Sequence, residues 1–400
     1  MNVPAGDKVN SRGQRPRKTS SKGLTPKGSE IFDPFRVGTT FLLKPWVLPT
    51  AINSVPCGDI HNLRTRDSRL RYGMPVKRTL PKAGVKRTAP KTGDAISVAE
   101  FLALKKTKGN LLVSVDGENV SLTSPQANRP GPEKFTKFDL LCYYIQVAPF
   151  LLPHLKDRPA ILQRWPRGIN APMFFQQDLE SAPAFVKSVH LTNQEGRELD
   201  YAVFTTTAAL LHLVNLGNIE QHPWHSTTKK LTHPDWIALD LDPKKAPWEN
   251  VLEVALVVKK VCDDVGLNAF PKTSGSSGIH IYLPLKPTNT YDRVAEFSRL
   301  LATEVAGRAP KIATVERSLA KRGKDQVYVD WMQNARGKSL ASVLTVRAKP
   351  GATVSMPLTW KEIEKGVRIS DFNIKNVPKL IQKKNAWTDF FEQRQALKLH

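Results

Sequence analysis

The feature that most constrains the fold of this chain is the alternation of strand-like and helix-like apolar patterns between residues 236 and 331. The predicted elements are strands at 236–241, 279–285 and 327–331, and helices at 251–265 and 291–306. Pro247, just before the first of these helices, is a residue type that favours helix entrances. Helices interleaved with strands predict a mixed α/β (α+β) domain, with central sheets flanked by helices.

Strand-like and helix-like apolar patterns also occur on both sides of this region. Apolar spacing predicts helices at 97–107, 138–155 and 206–216, a hairpin at 110–124 and a strand at 342–347. The hairpin prediction depends on Asp116-Gly117, a dipeptide that favours the tight turn between two antiparallel strands. We therefore expect order to begin near Ile96.

Charge divides the chain into two parts. Residues 1–94 carry 19 Lys and Arg against 6 Asp and Glu, together with ten prolines and no sustained apolar period. This composition is typical of a disordered basic arm, although a solvated tail has the same composition. We therefore predict an arm over 1–94 and a catalytic domain over 95–400.

The overall composition narrows the class of protein. The net charge of +24 indicates a polyanionic partner, with nucleic acid the first candidate. No apolar run reaches the roughly 18 residues of a membrane helix, and no apolar signal region opens the chain. Three dispersed cysteines give neither a disulfide framework nor a zinc motif. We expect a cytoplasmic, nucleoid-associated protein with no membrane partner.

Two carboxylates share one face of the predicted strand 236–241. Residues two apart on a strand point the same way, so Asp240 and Asp242 lie side by side. Such a pair suits Mg²⁺ or Mn²⁺, which prefer carboxylate oxygens. Asp330 stands in a third apolar strand, where an unpaired carboxylate is costly to bury. The alternatives are a turn cap at Asp242 and an ion pair of Asp330 with Arg336 or Arg347.

A Ser/Gly loop precedes the strand 279–285. Its sequence is Lys272-Thr-Ser-Gly-Ser-Ser-Gly278, and it leads to His280. Backbone N–H groups of such loops can bind phosphate. The loop lacks the Gly-Lys-Ser/Thr ending of a P-loop and precedes a strand, so it is not one. A plain flexible loop is the alternative.

His222, which precedes a proline, and the pair Phe174-Phe175 complete the candidates. A single such histidine is more often structural than catalytic. Aromatic pairs are usually core, but exposed ones stack on bases, and we expect Phe174 and Phe175 in an exposed loop.

Taken together, these motifs resemble the archaeo-eukaryotic primase superfamily, and within it the polymerase domain of bacterial ligase D. The similar segments run from about residue 113 to 397 and include Asp-Leu-Asp (240–242), Ser-Gly-Ser-Ser-Gly-Ile-His (274–280), Phe-Thr-Lys (135–137), Arg-Trp-Pro-Arg-Gly (164–168) and Gln-Asn-Ala-Arg-Gly (333–337).

The resemblance implies a role for each candidate. Asp240, Asp242 and Asp330 would hold two Mn²⁺ or Mg²⁺ ions, and His222 would be a catalytic residue that helps to orient the incoming nucleotide. The incoming nucleoside triphosphate would be bound by Lys272, Ser274, Gly275, Gly278, His280 and Arg347. DNA would be bound by Lys137 at a 5′-phosphate, by Arg164, and by Phe174 and Phe175 at the template strand.

The implied function is a template-directed nucleotidyltransferase that favours ribonucleotides and works at DNA ends and gaps in non-homologous end joining. Ku and a separate DNA ligase are the expected protein partners. A de novo primase of a mobile element and a non-catalytic DNA-end scaffold are the alternatives. Two departures matter: Ser277 stands where the family often has Lys, and Ala127 where a second phosphate-binding Lys is expected.

Overall fold

The computed structural model describes residues 94–397, except 106, 108, 127–134 and 194. The predicted basic arm therefore lies outside the described residues apart from Asp94, as does Ala127, and both remain sequence-based expectations.

A small three-stranded sheet opens the described domain. Its strands are β1 (Ile96–Ser97), β2 (Leu111–Val115) and β3 (Glu118–Leu122), in the order β1-β2-β3. The predicted hairpin is confirmed, because Asp116 and Gly117 adopt the positive φ angles of +52° and +78° that a tight turn requires. Helix α1 (Val98–Ala103) is shorter than predicted and begins at a capping box between Ser97 and Glu100.

The middle of the chain forms a second sheet beside two apolar helices. The helices are α2 (Lys137–Leu155) and α3 (Thr207–Asn215), and the strands are β4 (Pro159–Arg164), β5 (Phe174–Gln176), β6 (Lys187–Thr192), β7 (Glu198–Val203) and β8 (Asn218–Pro223). The order is β5-β4-β7-β6, with β8 also paired to β4. These strands were not predicted, although β6 and β7 do carry a period of two, with Val189 and Leu191 on one strand and Leu199, Tyr201 and Val203 on the other alternating with the remaining residues.

Helix α2 is the one helix in the described ranges whose length and composition would suffice to cross a membrane. Over half of its apolar window is buried within the protein (56%), and it packs against α3. An apolar core helix has the same length and composition.

The third sheet carries the predicted carboxylates. Its strands are β9 (Trp236–Asp242), β10 (Phe270–Thr273), β11 (Ile279–Pro284), β12 (Ala313–Thr314) and β13 (Val327–Asp330). Helix α4 (Trp248–Asp264) lies between β9 and β10 in the chain, and helix α5 (Tyr291–Arg308) lies between β11 and β12. The short helices α6 (Trp360–Glu364) and α7 (Val377–Lys383) follow β13. The strand order β10-β11-β9-β13-β12 places β9 at the centre. The mixed α/β fold is thereby confirmed, and one continuous apolar core touches all three sheets.

The strand predicted at 342–347 is wrong. Leu344 has a positive φ of +59°, which breaks an extended strand, and Val346 forms only an isolated bridge to Val354. Its backbone instead bonds to other segments: the Ser342 amide donates to the Gln221 carbonyl of β8, and the Leu344 amide donates to the Ser355 carbonyl. The irregular segment therefore packs beside β8, and it carries Arg347 with it.

Candidate active site

Three neighbouring strands bring the predicted carboxylates together. Asp240 on the central strand β9 pairs in register with Asp330 on β13 and with His280 on β11. Leu239 and Leu241 of β9 are fully buried, whereas Asp240 and Asp242 are partly exposed. The predicted same-face arrangement of the two β9 carboxylates is thus confirmed.

The carboxylates repel one another. The pKa of Asp240 is raised to about 7: burial is the largest cause, the charges of Asp330 and Asp242 add to it, and Lys272 and Arg347 oppose the shift. The Asp240 side chain nevertheless keeps 25% of its surface exposed, so it can reach a ligand. A divalent cation would relieve this repulsion, and carboxylate oxygens are the ligands that Mg²⁺ and Mn²⁺ prefer.

The two outer carboxylates are held by other groups. Arg322 Nη1 lies 3.4 Å from Asp242 Oδ2, and the guanidinium of Arg322 stacks over the Tyr328 ring. Asp330 accepts hydrogen bonds from the Met332 amide at 2.8 Å and from Gln333 Nε2 at 2.9 Å. In the described part of the chain, no three Asp, Glu, His or Cys side chains lie close enough together to form a metal site as they stand. The carboxylate oxygens are therefore of the type that a divalent cation binds, while Asp242 and Asp330 contact other residues of the same chain.

The Ser/Gly loop is built around one hydroxyl. Ser274 Oγ accepts the backbone N–H groups of Ser276, Ser277 and Gly278 at 3.0, 3.1 and 2.9 Å. These three amides therefore converge on one point, as they would on an anion.

Two glycines let other parts of the site approach the loop. A Cβ on Gly278 would lie 2.0 Å from the Leu241 carbonyl oxygen of β9, and one on Gly275 would lie 2.7 Å from Arg347 Cγ. Gly275 also has a φ of +69°, which disfavours any other residue. Gly275 and Gly278 thus set the distance between the loop, β9 and Arg347.

Lys272 lies behind His280 and not at the open face of the site. Its side chain is fully buried, and Nζ donates to the Ala341 carbonyl at 2.9 Å and to Ser355 Oγ at 2.5 Å. Nζ also lies 3.0 Å from His280 Nδ1, while His280 Nε2 lies 3.4 Å from Asp240 Oδ1. Nζ is therefore satisfied by protein groups, and direct contact of Lys272 with the triphosphate stays a prediction.

His222 and Arg347 meet at a carboxylate that was not predicted. Glu220 Oε2 lies 3.2 Å from His222 Nε2 and 3.0 Å from Arg347 Nε. Arg347 Nη1 donates to the Ser274 carbonyl at 2.7 Å, which joins this group to the Ser/Gly loop. The predicted nucleotide ligands Ser274 and Arg347 are therefore in direct contact.

The four predicted DNA-binding residues lie on other elements. Phe174 and Phe175 are 44% and 57% exposed, as predicted, but they lie on strand β5 and not in a loop. Arg164 of β4 is opposite Phe174; its guanidinium lies 5.2 Å from that ring and donates to Gln176 Oε1 at 2.6 Å. Both aromatic side chains therefore stay accessible for stacking.

Lys137 is the first residue of α2 and is only 5% exposed. Its Nζ donates to the Thr123 carbonyl at 2.6 Å. Asp139, two residues further along the helix, accepts the Thr136 amide in a capping box. The 5′-phosphate role of Lys137 stays a prediction.

Sequence reasoning missed Glu220, Arg322 and Asn334. The Asn334 side chain bonds both backbone groups of Ala238, accepting its N–H at 2.9 Å and donating to its carbonyl at 2.8 Å, and so fixes β9 two residues before Asp240. Glu220 could have been found from its position two residues before His222, had β8 been recognised as a strand. No local signal identified Arg322.

Comparisons with known proteins agree with this geometry. A family model for the LigD primase-polymerase domain matches residues 136–388. The chain is 30% identical over 285 residues to the multifunctional non-homologous end joining protein LigD of Pseudomonas aeruginosa, covering 70% of this chain and 34% of that protein. It is 32% identical over 266 residues to the bifunctional LigD of Bacillus subtilis, covering 66% of this chain and 42% of that protein.

A solved structure gives the same result. The polymerase domain of Mycobacterium tuberculosis ligase D, determined in complex with DNA, superposes with a TM-score of 0.64 at 26% identity, covering 68% of this chain and 98% of that one. The chain thus spans 34% and 42% of the length of these two curated relatives but nearly all of the solved polymerase domain. It follows from the matched family model and from the shared fold that this chain belongs to the LigD primase-polymerase domain family.

Proposed function

We propose that this chain is a metal-dependent, template-directed nucleotidyltransferase that fills short gaps and extends DNA ends in non-homologous end joining. One observation carries the proposal: Asp240, Asp242 and Asp330 lie on adjacent strands of one sheet, with His280 in register beside them. The family match and the likeness to a polymerase domain solved with DNA support the same reading.

In this proposal the three carboxylates hold two divalent ions, Mn²⁺ or Mg²⁺, which lower the cost of bringing the primer hydroxyl and the triphosphate together. The chain's own groups bind the nucleotide: His280 Nε2, His222 and Arg347 contact the phosphates, and Ser274, whose Oγ accepts the amides of Ser276, Ser277 and Gly278, holds the Ser/Gly loop in place beside them. Lys272 serves the site through His280.

DNA is bound in this proposal by the basic surface and by the aromatic pair on β5. Phe174 and Phe175 stack against template bases, and the Arg164 guanidinium, 5.2 Å from the Phe174 ring, helps to hold that ring in place. Base stacking tolerates any sequence, which suits a polymerase that works at varied ends. A preference for ribonucleotides and cooperation with Ku and a separate ligase are part of the proposal.

Primer extension on a short DNA gap tests the proposal. We expect nucleotide addition that follows the template, requires Mn²⁺ or Mg²⁺, and is faster with ribonucleotides than with deoxyribonucleotides. Synthesis only in the absence of a primer would indicate a de novo primase. Gap binding with no synthesis in either metal would indicate a non-catalytic scaffold, and either result contradicts the proposal.

A further inference from the structure

Glu220 is a buried carboxylate whose contacts all serve neighbouring parts of the site. It lies on β8 with a side chain that is 6% exposed. Oε2 meets His222 Nε2 at 3.2 Å and Arg347 Nε at 3.0 Å, and Oε1 accepts the Ala348 amide at 2.9 Å. Both oxygens are therefore engaged, and both partner side chains are predicted nucleotide ligands.

The carboxylate is ionised in this setting. Burial by itself raises the pKa of Glu220, but the hydrogen bond from His222, the charge of Arg347 and the Ala348 amide outweigh it and lower the pKa to about 2. A buried negative charge then faces a guanidinium, which presents a rigid fork of donors.

Arg347 is held at two points. Nε lies against Glu220, and Nη1 donates to the Ser274 carbonyl at the start of the Ser/Gly loop. Fixing a long side chain before the ligand arrives removes an entropic cost from binding.

We propose that Glu220 is a positioning residue, whose carboxylate holds His222 and Arg347 in the orientation that meets the triphosphate. The inference rests on the proposed function, because nucleotide binding is what this orientation serves. If the ion pair between Glu220 and Arg347 were purely structural, its loss would lower the stability of the protein without selectively weakening nucleotide binding.

The test compares Glu220→Gln, which keeps the size, with Glu220→Asp, which keeps the charge. The matched control is Glu249→Gln, because exposed Glu249 also pairs with an arginine, Arg368 at 3.0 Å. Each variant is assayed for binding of a fluorescent analogue of guanosine triphosphate, for the KM and kcat of gap filling, and for binding of gapped DNA.

We expect Glu220→Gln to raise the nucleotide Kd and KM about tenfold or more, because the buried negative charge that faces Arg347 Nε at 3.0 Å is lost. DNA binding should stay within about twofold of wild type, and Glu249→Gln should match wild type throughout. The nucleotide Kd and KM of Glu220→Asp should fall between those of wild type and Glu220→Gln, since aspartate keeps the charge at a longer distance from Arg347. If Glu220→Gln fails to fold by circular dichroism, Glu220→Asp decides.

A double-mutant cycle with Arg347→Gln separates a positioning role from an independent one. If Glu220 acts through Arg347, the double variant should bind nucleotide little worse than Arg347→Gln alone. Fully additive losses, a wild-type nucleotide Kd in Glu220→Gln, or equal losses for nucleotide and DNA would overturn the inference. If the wild-type protein itself neither binds nucleotide nor extends primers, the proposed function fails instead.

Discussion

Lys272 illustrates how the hydrogen-bond donors of a buried residue at this site find partners. An ammonium carries three N–H donors and no acceptor. Nζ has three partners in reach: the Ala341 carbonyl, Ser355 Oγ and His280 Nδ1. Burial, followed by the charge of Arg347, lowers the pKa of Lys272 well below its usual value, against the opposing pull of Asp240. The Lys272 side chain is therefore satisfied by protein groups, among them His280 of the proposed nucleotide site.

The carboxylates give the first prediction. Asp240→Asn, Asp242→Asn and Asp330→Asn should each abolish nucleotide addition in primer extension, because each removes a negative ligand from the proposed metal site. Affinity for gapped DNA should change little, and it is measured by fluorescence anisotropy.

The control for this series is Asp263→Asn, which removes an exposed carboxylate paired with Lys259 on α4. It should extend primers at the wild-type rate. Near-wild-type extension by any of the three site variants would refute the metal assignment.

Lys137 gives the second prediction. If it binds a 5′-phosphate, wild-type protein should bind a gap with a 5′-phosphate on the order of ten- to a hundredfold more tightly than one with a 5′-hydroxyl, and Lys137→Ala should remove most of the difference. The same variant should lose about 1–3 kcal/mol of unfolding free energy, because the Thr123 carbonyl loses its donor.

Exposed Lys156 at the other end of α2 supplies the control, as Lys156→Ala should change neither property. Equal wild-type affinity for the two gaps would reject the phosphate pocket and favour priming, which needs no downstream phosphate.

At the scale of elements, the hairpin between β10 and β11 depends on close backbone approach. The Ser/Gly loop folds against the end of β9, where a side chain at Gly278 would meet the Leu241 carbonyl at 2.0 Å. Backbone atoms of a central strand cannot move aside as a flexible side chain can. The loop is therefore fixed to the strand that carries Asp240 and Asp242.

Gly278→Ala should consequently cost about 1–3 kcal/mol of unfolding free energy and weaken nucleotide binding. Gly307→Ala is the matched control, because Gly307 lies in helix α5, where an added Cβ would meet no neighbouring atom within 4 Å. That change should be neutral or stabilise the protein by up to about 1 kcal/mol. Urea denaturation measures both, and equal effects of the two changes would contradict the close-approach argument.

Helix α2 contains a buried titratable group. His154 packs against the rings of Trp387, Phe390 and Phe391, at centroid distances of 5.6, 5.4 and 4.8 Å. Burial, with the nearby charges of Arg158 and Lys272, lowers its pKa to about 3. The ring is therefore neutral in the folded protein above about pH 3.

The pH dependence of stability follows from this shift. An unfolded histidine titrates near pH 6.5, so between about pH 6.5 and 3 the unfolded chain binds a proton that folded His154 does not. Stability contributed by this group is complete above about pH 6.5 and falls as the pH drops, by up to about 1.4 kcal/mol per pH unit. His154→Phe should reduce this slope in urea denaturation across that range, and an unchanged slope would contradict the assignment.

At the scale of the whole molecule, the charge is unevenly distributed. The first 94 residues carry a net charge of +13 out of +24. Lys and Arg that neutralise DNA phosphates release counterions, which makes binding depend steeply on salt. The sequence therefore predicts that the arm adds affinity for DNA without contributing to the chemistry.

Deletion of residues 1–94 should leave primer extension at saturating DNA unchanged. The truncated protein should bind gapped DNA more weakly, with a shallower slope of log K against log salt, because up to 19 cations are removed. An unchanged salt slope would show that the arm does not touch DNA, and an insoluble truncation would show that it supports the fold.

Local sequence determined the elements that carry a strong period or a specific turn. The hairpin at Asp116-Gly117, the apolar helices and the alternation in β9 were all predictable, because each depends on neighbours within a few residues. The same alternation placed Asp240 and Asp242 on one face. The aromatic pair Phe174-Phe175 was also predicted to be exposed.

Tertiary structure decided what joins these elements. The strand pairing β11-β9-β13 sets His280 and Asp330 on either side of Asp240, and no local pattern specifies which strands are neighbours. The burial of Lys272 and the meeting of Glu220 with Arg347, 127 residues later in the chain, likewise arise only when distant segments pack. Contacts of this kind depend on the shape of the whole core, and for that reason the sequence alone supplied the chemical groups while the fold decided which of them act together.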